Sequence, residues 1–141
     1  LGLALYGAML GLCTLCCLPT TPIEVGAGYI WSASVAGTTL SGCLGKTMGC
    51  ITAFIFGRAL SDQLQLRRRT GMTGVLGSKI EAMLRKRPIQ TIGMIRGAPM
   101  PGALKNFGLS LFPPDVVPLH VFALTTLAMN LPFSIAWSLA D

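Results

Sequence analysis

Leu18-Pro19-Thr20-Thr21-Pro22-Ile23-Glu24-Val25-Gly26-Ala27-Gly28 interrupts an apolar run with two prolines, two glycines and a carboxylate. Bilayer hydrocarbon offers no water to backbone groups, so such a stretch is tolerated at membrane depth only inside protein or against a wet cavity. A second interruption lies in the other half of the chain: Ile95-Arg96-Gly97-Ala98-Pro99-Met100-Pro101-Gly102-Ala103-Leu104-Lys105-Asn106. Two such places predict a path for a lipid or solute through a membrane.

The composition agrees with a membrane setting. Of 141 residues, 52% are hydrophobic and 11% charged, with a mean hydropathy of +0.65. Soluble domains carry about a quarter charged residues. A single soluble core could not hide this much apolar surface, which predicts an all-α integral membrane protein.

The net charge of +6 is unevenly placed. Arg58, Arg67, Arg68, Arg69, Lys79, Arg85, Lys86 and Arg87 stand against Asp62 and Glu81, so this segment carries the whole excess. A basic connector between apolar segments belongs on the cytoplasmic side. No aromatic residue interleaves its basic runs, which argues against a nucleic-acid partner.

Residues 1–39 read as a first re-entrant hairpin, its tip at Pro19 and Pro22. Proline fixes φ and withholds a donor, leaving fewer unsatisfied groups at a tip. Gly26 and Gly28 are expected to let opposing backbone approach closely. Residues 40–58 form the cleanest transmembrane helix, with Lys46 the only charge before Arg58. Gly2, Gly7 and Gly11, and then Gly42, Gly45 and Gly49, have the small-residue spacing of packed membrane helices.

Residues 59–88 are a cytoplasmic connector in which Leu76, Ile80, Met83 and Leu84 oppose Lys79, Arg85, Lys86 and Arg87. This pattern suits a helix lying on an anionic leaflet, with Arg67, Arg68 and Arg69 beside it. Residues 89–112 read as a second hairpin with Pro99, Pro101 and Gly102 at the tip. Gly108 is assigned the same close-approach role as Gly26, Gly28 and Gly102. Residues 113–141 form the closing transmembrane helix, interrupted by Asn130 and Pro132, with His120 at an interface. A hairpin and a span on each side of one cytoplasmic connector make an inverted repeat of the kind found in transporters.

Charges at membrane depth are the candidate functional groups, each costing about 2.5–3.5 kcal/mol or more if unpaired. The expectation is that Glu24 at one tip faces Arg96 and Lys105 at the other, with Asn106 bridging backbone or touching a headgroup. The pair would bind a lipid phosphate, exchange a proton at Glu24, or lock the hairpins together.

Enzymatic chemistry has little support. Cys13 and Cys16 have redox or zinc-ligand spacing but no paired histidine or second such motif. They read, with Cys17, Cys43 and Cys50, as small residues of packed helices. No cluster has metal-ligand spacing, no histidine accompanies the serines and threonines as a triad would need, and Gly26-x-Gly28 lacks the rest of a dinucleotide site. No cofactor is expected. The chain opens at Leu1 and reads as a fragment or a trimmed domain.

These residues resemble the DedA superfamily, also called the VTT or SNARE-associated Golgi protein domain. The likeness lies in Pro19-Thr-Thr-Pro22-Ile-Glu24-Val-Gly-Ala-Gly28, then Phe54-Ile-Phe56-Gly57-Arg58, then Arg96 with Pro99 and Pro101, followed by Asn106 and Gly108. It covers residues 18 to 135. The resemblance implies a non-enzymatic membrane protein with two opposed re-entrant hairpins that moves phospholipids between leaflets. It carries functional roles to Glu24, Arg58 and Arg96; Lys46 and Lys105 depart from its pattern, and the final helix of many members is absent. Eukaryotic relatives imply endoplasmic reticulum or Golgi membranes, with other membranes open, and a homo-oligomer is compatible. Two other classes remain open: a proton-coupled transporter of a small solute or ion, and a scaffold recruiting partners through the basic connector.

Overall fold

The computed structural model describes residues 1–63 and 75–139, and among them all regular structure is helical. Helix α1 spans Gly2–Leu15, α2 Thr21–Ile30, and a 3₁₀ turn Ser32–Ser34 leads into α3, Val35–Gln63. Further on come α4, Val75–Lys86, and α5, Pro88–Gly97. Residues 102–110 are helical around a π turn at Leu104–Gly108, and α6 spans Leu119–Ser138. Helices α3 and α6 are long and apolar enough to cross a membrane.

Local chemistry sets the breaks. Cys17 takes a left-handed conformation (φ 57°), and the Leu18 amide reaches back to the Cys13 carbonyl, closing α1. Proline stands in the first turn of both α2 and α5, where its missing N–H costs no helical bond. Pro99 pushes Ala98 into extended backbone and stops α5.

The helices divide into two compact units. The first comprises Leu1–Cys50 with Thr126–Asp141. Within it α1 lies along α3 in the same direction: a Cβ at Gly45 would fall on the Gly7 carbonyl oxygen and one at Gly49 on that of Gly11. Ser41 Oγ donates to the Leu3 carbonyl on the same seam. These are the glycines whose spacing marks helix contact in the sequence. Helix α2 returns against α1 through Tyr6, Leu10 and Ala27, with Ile23 and Trp31 packed around them. Asn130 of α6 donates to Thr47 Oγ1 at 3.1 Å.

The second unit is Ile51–Thr125. Phe54, Leu84, Ile92, Leu109, Phe112, Val116, Val117 and Phe122 form its buried interior. Helices α4 and α5 turn about Arg87-Pro88, and Thr91 Oγ1 donates to the Met83 carbonyl across the corner. Gly57 packs against Phe107 and Ser110.

Several boundaries differ from the sequence reading. The first hairpin's returning arm, expected to reach residue 39, stops at Ile30, and residues 35–39 already belong to α3. Gly37, against Leu3, gives that turn a packed neighbour. The span expected at 40–58 lies inside this longer helix, about 43 Å at 1.5 Å per residue. Helix α6 begins at Leu119 and continues through Pro132.

The glycine assignment also shifts. A Cβ at Gly26, Gly102 or Gly108 would meet nothing within 4 Å among the described residues, and at Gly28 only the Trp137 carbonyl at 3.4 Å. Close backbone approach is needed along α1 and α3, not at the chain breaks.

Polarity is arranged inside out. Helix α6 exposes Leu124, Leu131, Phe133 and Ile135 while burying Thr125, Thr126, Ser134 and Ser138. Helix α3 exposes Leu40, Leu44, Met48, Ile55 and Phe56 while burying Thr38, Lys46, Thr47 and Ser61.

Candidate functional site

The first unit buries a charge pair, and the second sets two guanidinium groups against its aromatic interior. In the first, the Lys46 ammonium donates to Glu24 Oε2 at 2.8 Å, with the two residues only 8% and 4% exposed. Glu24 lies on the buried side of α2, together with the small residues Ala27 and Gly28 one turn further on. Thr47, next to Lys46 in sequence, accepts from the Asn130 amide, a second polar contact within the same unit.

Glu24 is thus taken by Lys46, where the sequence reading assigned it Arg96 and Lys105. Glu24 and Lys46 pair inside the first unit, while in the second Arg96 donates to Asn106 and Lys105 to the Arg96 carbonyl. Lys46 was the residue missed, although its position as the lone charge in an apolar run was the available signal. An unpaired ammonium there would carry the membrane penalty that an adjacent carboxylate offsets.

In the second unit, Phe54 and Phe122 stack with centroids 4.2 Å apart and planes at 19°. The Arg58 guanidinium stands 4.4 Å from the Phe54 centroid, and that of Arg96 5.1 Å from the Phe122 centroid. Rings this close admit no guanidinium between them, so the order is Arg58, Phe54, Phe122, Arg96. Each cation faces the electron-rich surface of a ring. Arg58 Nη2 also donates to the carbonyls of Val117 (2.9 Å) and Phe112 (3.4 Å), tying α3 to the turn before α6.

Arg96 Nη1 donates to Asn106 Oδ1 at 3.3 Å, and Lys105 Nζ to the Arg96 carbonyl at 2.9 Å. The π turn explains why adjacent residues can do this. It rotates Asn106 inward, where it is buried, while Lys105 reaches the last turn of α5. Such turns occur often at functional sites. Pro19 and Pro22 are exposed at the first break, and Pro99 and Pro101 at the second.

The aromatic pair lay outside the predicted site, although Phe54 opens the run Phe54-Ile-Phe56-Gly57-Arg58. Phe122→Leu removes the stack and one cation–π contact together. We expect a loss of about 1–3 kcal/mol in unfolding free energy, measured by denaturant titration in mild detergent.

The basic connector is partly committed to the fold. Arg85 donates to Glu81 and to Asp115 (2.8 Å), and Glu81 first, then Asp115, raise the guanidinium above its ordinary value. Leu84 is fully buried in the second unit, whereas Met83, on the same apolar side of α4, is half exposed. Lys79, Lys86 and Arg87 remain exposed, with Arg87 donating to Gln90. Arg67, Arg68 and Arg69 lie outside the described residues. His120 is exposed, and no metal-binding cluster occurs among the described residues.

The two units thus each carry a cluster, a buried carboxylate–ammonium pair in the first and a guanidinium–phenyl stack in the second. The chain matches no protein-family model, no curated protein and no solved structure.

Proposed function

We propose that this chain is a multi-pass membrane protein that moves phospholipids between leaflets, without covalent chemistry. The observation that carries the reading is the inside-out polarity: buried charges and hydroxyls inside helices whose outer faces are Leu, Ile, Phe and Met. An apolar surface suits hydrocarbon, and an interior polar seam lowers the barrier to a headgroup crossing it. The two helix–break–helix stretches, 2–30 and 88–110, are compatible with re-entrant hairpins, and the resemblance to the DedA superfamily points the same way. The same resemblance motivates an endoplasmic reticulum or Golgi location.

The test is dithionite quenching of fluorescent phospholipid in liposomes reconstituted with the chain. Wild type is expected to expose inner-leaflet lipid, with the rate cut by Arg96→Gln and by the neutral double variant Glu24→Gln/Lys46→Gln. Quenching confined to the outer leaflet, in sealed vesicles with folded protein, would refute it. The buried Lys46–Glu24 pair favours a second reading, proton-coupled solute transport, because one proton transfer neutralises both groups. That reading predicts uptake that collapses with the pH gradient, whereas scrambling needs none.

A further inference from the structure

Tyrosine and tryptophan gather at one end of the first unit. The chain has two of each, Tyr6, Tyr29, Trp31 and Trp137, and all four belong to that unit. A Cβ at Gly2, the first residue of α1, would lie 3.0 Å from the Trp31 ring, and one at Gly28 3.4 Å from the Trp137 carbonyl. The start of α1, the end of α2 and the end of α6 are thereby brought together. Tyr6 and Trp31 have ring centroids 5.9 Å apart, and Tyr29 is 70% exposed. Phenylalanine is distributed otherwise, with five of six in the second unit.

We propose that this aromatic end meets the headgroup–acyl boundary of one leaflet and fixes the depth of the first unit. The inference rests on the membrane reading and names the layer that this surface contacts. Tyr and Trp join an apolar ring to a polar tip and favour that boundary, whereas Phe has no tip to hydrate. Charge agrees, because Glu24 is the only charged side chain from Leu1 to Gly45. The exposed Leu5, Met9 and Leu12 of α1 continue the surface from this end into hydrocarbon.

Depth follows from helix rise. The 14 residues of α1 extend about 21 Å, against a hydrocarbon core of about 30 Å. With Gly2 at the boundary, the break that follows α1 lies in hydrocarbon rather than at either surface. Glu24 stands on α2 about 10 Å before Trp31, within two helical turns of the same boundary. A headgroup entering from this leaflet therefore reaches the Lys46–Glu24 pair after a short apolar distance.

Bilayers of phosphatidylcholine brominated at upper, middle or terminal acyl carbons test this on the whole chain through its own tryptophan fluorescence. Upper-chain bromine should quench Trp31 and Trp137 most, with the loss falling toward the chain end. Trp31→Phe and Trp137→Phe isolate one ring each and should keep that order. Leu18→Trp, with both native tryptophans changed to Phe, should shift the strongest quenching to mid-chain bromine, since Leu18 is exposed at the break. The first readout needs no substitution, and circular dichroism checks that each variant keeps its helices. Native rings quenched most by mid-chain or terminal bromine would overturn the proposal. So would rings quenched by aqueous iodide and by no bromolipid, or shallow quenching that appears only on dilution in lipid, the mark of a second copy covering this end. Leu18→Trp quenched as shallowly as the native rings would overturn the depth given to the break. Shallow native rings without scrambling keep this placement and remove the transport reading; scrambling with deep native rings does the reverse.

Discussion

Lys46→Met is expected to destabilise the chain by about 3–5 kcal/mol, because it leaves the Glu24 carboxylate buried without its partner. Methionine preserves most of the side-chain length, so the loss reports charge rather than a cavity. Unfolding by sodium dodecyl sulfate titration in mild detergent would measure it. Glu24→Gln/Lys46→Met should recover most of the loss, since removing both charges also removes both desolvation penalties. Reversing the pair, with Glu24→Lys and Lys46→Glu together, should fold better than either single change. A single variant as stable as wild type would show that the 2.8 Å contact contributes nothing to the fold. The comparison also bears on function: a double variant that is stable yet inactive in scrambling assigns the charges to transport rather than to architecture.

The second large effect is expected at Gly45. A side chain there meets the backbone of α1, and a carbonyl cannot step aside as a rotamer can. Overpacking in ordinary cores costs about 1–3 kcal/mol; Gly45→Leu should cost at least that much by lifting α1 from α3. Gly49→Leu should behave alike, because its obstacle is the Gly11 carbonyl. Gly102→Ala is the control, with no neighbour within 4 Å among the described residues, and should stay within about 0.5 kcal/mol of wild type. Cross-linking efficiency between cysteines introduced at Leu3 and Thr38 would report the separation directly. Unchanged cross-linking in Gly45→Leu would contradict the packing argument.

Residue patterns made part of this legible. The helix breaks follow from proline and need no tertiary information: Pro22 and Pro88 open helices, and Pro99 forbids continuation. The glycine repeats on α1 and α3 specified a close seam because small residues at helical spacing have few other uses. The partner of Glu24 was not legible, because pairing two breaks on opposite sides of the chain looked as good as pairing one break with its neighbouring helix. Only the return of α2 along α3 decides it. The Phe54–Phe122 stack joins residues far apart in sequence with no periodicity to announce them. Burial of Leu84 was not legible either, because an amphipathic pattern states that one face is covered, not by what; Leu84 is covered by protein while Met83 stays exposed.

The parallel seating of α1 on α3 has a consequence for biosynthesis. Helix α1 leaves the ribosome ahead of its seat: the glycines that receive it, Gly45 and Gly49, are made only after α2. The same unit also draws on Thr126–Asp141, with Asn130 bonded to Thr47. The seat of α1 is thus available once residue 49 is made, while the unit around it is completed only by α6. A nascent chain halted before residue 45 would hold α1 and Glu24 with neither seat nor counter-ion, the form most exposed to quality-control recognition.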